Sequence, residues 1–142
     1  MRQLAIVLMV LFLVAGMGFA EGMWSDGTYT AEGDAFDHGW KPMVQITVMG
    51  GYISDVHFDS LPEEGDKTKY VASVQGEYGM VANSDATRHW YEQMDDLAAY
   101  LVETQDPAEA LSSGGVDAVS GVSVTGNNFY ELAEDALSGA RR

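Results

Sequence analysis

The stretch from Val44 to Phe58 leaves the chain little choice of local structure. Val44, Ile46 and Val48 alternate with Gln45, Thr47 and Met49, the period-two pattern of a strand with one buried face. Gly50 and Gly51 follow, and a glycine pair supplies the positive backbone angles that a tight hairpin turn requires. The return strand runs from Tyr52 to about Phe58. Val56 and Phe58 share a face, but Ile53 is out of phase with them, so a bulge or burial on both faces is expected there. A hairpin with one apolar face is stable only when something covers that face.

The cover is legible further along. Between residues 86 and 105, Trp90, Met94, Leu97 and Leu101, with Ala98 and Val102 beside them, step at three and four residues. Glu92, Asp95, Asp96 and Glu103 take the other side, which predicts an amphipathic helix near 87–104 with Trp90 and Met94 in the core. Asp106 and Pro107 mark its end. Phe129, Leu132, Ala133, Ala136 and Leu137 repeat the helical spacing, and Asn128 with Glu131 three positions on forms a capping pair, predicting a second helix near 127–138. Thr28, Tyr29 and Thr30 after the Ser25, Asp26, Gly27 turn signal suggest a first strand. Residues 33–42 read as a loop. Residues 61–69 read as an exposed connection, and Glu63, Glu64 and Asp66 within it lack calcium-loop spacing. The expected fold is α+β, a single domain with a twisted antiparallel sheet and a central hairpin packed by two or more helices.

Residues 1–20 hold one charge, Arg2, then an apolar run from Leu4 to Phe19 and a small-residue exit at Ala20. That is the layout of a secretory signal peptide. The run is short for a membrane span, which takes roughly 20 apolar residues, although an uncleaved anchor would need little more. Residues 21–142 are then the folded domain, secreted or periplasmic, reaching a membrane only if the leader is retained. There is no cysteine, so neither a lipidated cleavage site nor a disulfide is available and packing alone holds the fold. The formal charge of −15 becomes one unit more negative when Arg2 is removed. Such a charge repels nucleic-acid phosphates and anionic membranes and favours a soluble monomer, so nucleic acid is not an expected partner.

The segment 117–126 leads into the second helix and is rich in hydroxyls and glycine. Unpaired backbone amides and the positive end of a helix dipole suit such a turn to an anion such as phosphate. Ser120, Ser123 and Thr125 could add hydroxyl contacts, Gly121 and Gly126 let the backbone approach closely, and Asn127 could cap the helix. On composition alone the signal is weak, and an ordinary helix cap is the favoured reading of the segment.

The run Asp117, Ala118, Val119, Ser120, Gly121, Val122, Ser123 resembles the flavinylation motif of FMN-binding domains. That motif has an aspartate, three residues ending in serine or threonine, glycine, alanine, and the threonine or serine that receives FMN. Asp26, Gly27, Thr28, Tyr29, the segment Gly39, Trp40, Lys41, Pro42, and the run Asn128, Phe129, Tyr130, Glu131 also look like members of this family, so the resemblance spans nearly all of the chain beyond residue 20. It implies FMN as cofactor, a phosphoester to Ser123, and a separate flavin transferase that brings its own magnesium, with no metal on this chain. Val122 stands where alanine is usual and puts a stiff β-branched side chain beside the acceptor. Noncovalent FMN, or a secreted interaction module without flavin, are the alternatives.

The isoalloxazine ring requires a flat, mostly apolar slot with a few polar groups. Trp40, His38, Tyr78 and Met80 are candidates, against duller roles for Trp40 as a hairpin lid and His38 as a loop hydrogen-bonder. His57 and His89, read as exposed, receive no role. Neither zinc spacing nor a triad supports hydrolase chemistry. The resemblance implies a relay between redox donor and acceptor proteins, more a carrier than a stand-alone enzyme, or the electron-entry domain of a reductase.

Overall fold

The structure, a computed structural model, describes residues 22–78, 88–119 and 128–142. Three antiparallel strands in the order β1-β2-β3 form one sheet: β1 Gly27–Glu32, β2 Trp40–Met49 and β3 Tyr52–Pro62. Helices α1 Lys69–Val74, α2 Trp90–Thr104, α3 Pro107–Ser112 and α4 Asn128–Ala136 pack on it and on one another, with a 3₁₀ turn at Gly115–Ala118. This is the α+β architecture expected, a hairpin at the centre and helices as cover.

The hairpin turns at Gly50 and Gly51 with φ of +63° and +85°, a region closed to most side chains. Thr47 pairs with Asp55 and Val48 with Ile53, so Ser54 is the extra residue of a bulge. The bulge returns Ile53 to the same buried side as Val56 and Phe58, which explains why the apolar pattern breaks phase there. Gln105 secures this spot from across the core. Its side-chain amide accepts from the Ile53 backbone N–H at 2.7 Å and donates to the Ile53 carbonyl at 2.9 Å. To do so Gln105 ends α2 in a left-handed conformation, φ +64°.

Both strands of the hairpin are longer than the pattern indicates. β2 begins at Trp40, inside the stretch read as a loop, and β3 continues through Leu61 and Pro62, read as the start of a connection. Pro42 does not break the central strand. A strand residue directs its N–H and C=O to the same edge, and the Pro42 carbonyl accepts from Gly33 just beyond the end of β1. The missing donor therefore falls outside both ladders.

α4 covers β1 and β2, while α2 and α1 cover β3. Val44, Ile46, Phe58, Met94, Leu97, Leu101 and Tyr130 are fully enclosed between the layers, and Trp90 joins them. Burying a side chain of this size contributes roughly 1.5–3 kcal/mol each. The Tyr130 hydroxyl, inside this core, donates to the Leu97 carbonyl at 2.9 Å, and burial raises its pKa. α1 and α3 are six residues each and were not expected. Pro107, read as a stop for α2, is also the first residue of α3, capped by Asp106 accepting from the Ala108 N–H at 3.0 Å.

Residues 22–25 and 140–142 meet beside the hairpin turn. Ser25 N–H donates to the Ala140 carbonyl and Arg142 N–H to the Met23 carbonyl. Trp24 is buried, its indole N–H donating to the Gln105 carbonyl at 2.8 Å, with the Arg141 guanidinium 4.7 Å above its ring. A Cβ on Gly22 would overlap the Gly51 backbone, so the terminal segment lies directly on the turn.

Candidate functional site

At the other end of the sheet, away from the turn, β2 starts and β3 stops. Here His38, Gly39 and Trp40 face Pro62, Glu63, Lys67 and Glu77 across a cleft of about 510 Å³. That volume lies within the range of small-molecule pockets. The rim is acidic, with Glu63 and Glu64 exposed, while Lys67 is tied to Glu77 at 2.7 Å.

Trp40 belongs to a second group as well. The Lys69 ammonium lies over the rings of Tyr78 at 4.5 Å, Trp90 at 4.8 Å and Trp40 at 6.0 Å. Tyr78 meets Trp90 edge-on at 6.5 Å, and Trp90 meets Phe129 at 6.3 Å. Phe129 in turn packs edge-on against Phe58 at 5.5 Å. Five aromatic rings and one cation are thus assembled from β2, β3, the start of α1, the segment after it, and the first turns of α2 and α4. Among the described residues no carboxylate pairs with Lys69.

Lys69 is the first residue of α1, and the start of that helix is fixed from β3. The buried Asp59 carboxylate accepts from the Tyr70 N–H at 2.9 Å and from the Ser60 N–H at 2.7 Å, and meets His57 Nε2 at 3.0 Å. Thr68 caps the same turn by accepting from the Val71 N–H. Burial pushes the Asp59 pKa upward, but the hydrogen bonds from His57 and the two backbone amides outweigh it and hold the group below the ordinary aspartate value. The His57 pKa is raised, chiefly by its bond to Asp59 and against the effect of burial. Tyr70 closes the group. Its ring stands edge-on to His57 at 5.1 Å, its hydroxyl donates to Asp95 at 2.9 Å, and burial and Asp95 push its pKa to about 12.

Of the residues expected to line a flavin site, Trp40 and His38 are brought together at the cleft, with Tyr78 adjoining through the Lys69 cluster. His38 has φ +51° and is exposed, bonded to Asp37 at 2.8 Å. Trp40 is a strand residue, not part of a turn, because it pairs with Pro62. Asp117 does not line the cleft. It is exposed on the 3₁₀ turn, its N–H donating to the Gly114 carbonyl. Ser120, Gly121, Val122, Ser123, Thr125, Gly126, Asn127 and Met80 lie outside the described residues. Their neighbours in sequence are placed. Val119 lines a cleft with Asp96, Ala99, Tyr100 and Glu103 along α2, and Phe129 meets Trp90 in the first turn of that helix.

Lys69 and the His57–Asp59 pair were missed. His57 is half-buried, not exposed, because α1 covers it through Tyr70. The pair had a signal: residues two apart on a strand point to one face, and a histidine and an aspartate in that relation can bond. Lys69 had none, standing among charged residues that read as solvated.

The arrangement defines a class: a small α+β domain with an aromatic, cation-bearing site at one end of an antiparallel sheet. No family model matches the chain. The chain belongs to the family of the 15 kDa lipoprotein of Treponema pallidum, with which it is 30% identical over 118 residues, covering 82% of this chain and 77% of that protein. Two solved structures share its fold. A solution NMR structure from Clostridium thermocellum is 40% identical, with a TM-score of 0.59 over 80% of this chain and 90% of that one. A crystal structure from Clostridium perfringens is 27% identical, with a TM-score of 0.64 over 83% and 89%.

Proposed function

We propose that this protein is an extracytoplasmic FMN-carrying electron-transfer protein, with FMN joined through its phosphate to Ser123. The observation that carries the reading is the gathering of Trp40, Tyr78 and Trp90 around the Lys69 ammonium, with Phe129 against Trp90. Aromatic faces and a cation that has no carboxylate partner among the described residues, in a chain of formal charge −15, suit a flat group that carries negative charge. Bound FMN supplies one- and two-electron chemistry, and the protein sets its position and surroundings.

The chain's own residues divide the work. Trp40 and Tyr78, both partly exposed, offer ring faces, and buried Trp90 forms the floor behind them. Glu63, Glu64 and Glu77 at the cleft rim repel phosphate, so the phosphate end fits better at the hydroxyl-rich turn that precedes α4. Ser123 offers the oxygen nucleophile, and Asp117, Ser120, Gly121, Val122, Thr125 and Gly126 complete the motif a flavin transferase would read. The extracytoplasmic location is supported by the leader layout of residues 1–20 and by the lipoprotein relative. The lipid of that relative's name has no counterpart among these 142 residues, which contain no cysteine. Among the described residues no helix is long and apolar enough to cross a membrane. The partners are a flavin transferase for maturation, then a redox donor and a redox acceptor.

Intact-mass measurement after coexpression with a flavin transferase tests the reading. The wild type should gain one FMN-sized increment, and Ser123→Ala should not. The increment in both would move the acceptor elsewhere, and a colourless wild type of unmodified mass would overturn the flavin reading.

A further inference from the structure

We infer that Lys69 sets the redox potential of the site, with Asp59 as the positioning residue that holds it there. The inference rests on the flavin reading above.

The Lys69 ammonium is surrounded by ring faces at 4.5, 4.8 and 6.0 Å, and among the described residues no carboxylate neutralises it. Lys67, two residues earlier, is spent on Glu77, with Nζ 2.9 and 2.7 Å from its two oxygens. Lys41 lies 5.0 Å over the Phe36 ring and 3.5 Å from Glu32, at the other side of β2. Among the described residues Lys69 is thus distinguished from Lys67 and Lys41 by lying over three ring faces with no carboxylate partner. A charge in that position acts across a medium less polar than water, where its field is screened less.

Reduction of FMN by two electrons from a reduced protein donor, with uptake of one proton, adds one negative charge to the ring. The Lys69 ammonium would stabilise that added charge. The reduced state is thereby favoured over the oxidised one, and the midpoint potential rises. Placement matters because the field of one charge falls with distance. Asp59 fixes it by accepting from the Tyr70 N–H, the residue next to Lys69, while the carboxylate is itself anchored by Ser60 N–H and His57.

The test is spectroelectrochemistry on full-length protein flavinylated by coexpression with a flavin transferase, comparing wild type with Lys69→Gln, Lys69→Arg and Asp59→Asn. Lys69→Gln should weaken the preference for the reduced state about tenfold, a potential about 30 mV more negative for a two-electron couple. Lys69→Arg keeps the charge and should change that preference less than about threefold. Asp59→Asn should fall between wild type and Lys69→Gln. A purely structural role for Asp59 would lower its melting temperature and leave the potential at the wild-type value. Flavinylated wild type and Lys69→Gln with the same potential would overturn this inference alone, as would a shift in Lys69→Arg equal to that in Lys69→Gln. A wild type that takes no flavin would overturn the proposed function and this inference with it.

Discussion

The two ends of the sheet are built on opposite principles. At the hairpin turn nearly every polar group has a local partner: Gln105 serves both backbone groups of Ile53, Asp26 accepts from the Gly51 N–H at 2.8 Å, and Trp24 donates to the Gln105 carbonyl. The Gly51 and Gly50 amides hold the Asp26 pKa below its ordinary value, a further sign that this end is saturated. At the Trp40 end, Trp40 and Tyr78, both partly open to solvent, flank a lysine with no carboxylate partner among the described residues, beside an acidic rim. Paired polar groups hold the closed end, and on the proposed function the ligand is taken at the open one.

The sharpest way to break this contrast is to damage each end and read both properties. Gln105→Ala strips the Ile53 N–H and carbonyl of their partners and should cost about 2–4 kcal/mol, since groups left buried and unpaired forfeit their desolvation. Urea denaturation would measure the loss, and flavin loading at temperatures well below melting should be unchanged. If loading fails while the fold persists, the ends are coupled and the division is wrong.

Trp40→Leu should do the reverse. It keeps an apolar residue in β2 and should change stability by about 1 kcal/mol or less, while flavin fluorescence rises because a quenching ring face is lost. A large stability loss by urea denaturation would make Trp40 a core residue first.

The smallest expected effect concerns the His57–Asp59 pair that fixes the start of α1. His57 has a raised folded pKa, so its contribution is complete below the unfolded value of about 6.5 and disappears as pH climbs through the folded value. Asp59 has a lowered one, so its contribution is present above the unfolded value and disappears as pH falls through the folded value. Asp55, Asp59 and Asp95 all raise the His57 pKa, and the Tyr70 ring closes the remaining side. Because the His57 side chain is 43% exposed, the effect should amount to less than about 1 kcal/mol. Thermal melting between pH 6 and 9 should show a decline in the wild type that is flattened in His57→Gln. Equal slopes would remove His57 from the account.

Most of the frame could be read from sequence because its determinants are local. The alternation of Val44, Ile46 and Val48, the Gly50–Gly51 pair and the dephased Ile53 each fix conformation within a few residues, and the structure bears out both hairpin and bulge. α2 followed from its apolar spacing. α1 did not, because six residues with Val71 and Val74 exposed carry no helical period, and its start is fixed by Asp59, eleven residues before Tyr70. The ends of β2 and β3 were likewise set by pairing with each other and not by their own composition. For the site, the aromatic character of Trp40 and Tyr78 was legible. Their gathering around Lys69 was not, since it depends on elements far apart in sequence.

The meeting of residues 22–25 and 140–142 at the hairpin turn has a directional consequence. Residue 22 leaves the fold against Gly51, and the ten residues of β2 separate that point from Trp40. At about 3.3 Å per residue the separation is roughly 30 Å. Any tether attached ahead of residue 22 would therefore hold the molecule by its closed end, with the Trp40 end projecting outward into the surrounding aqueous space.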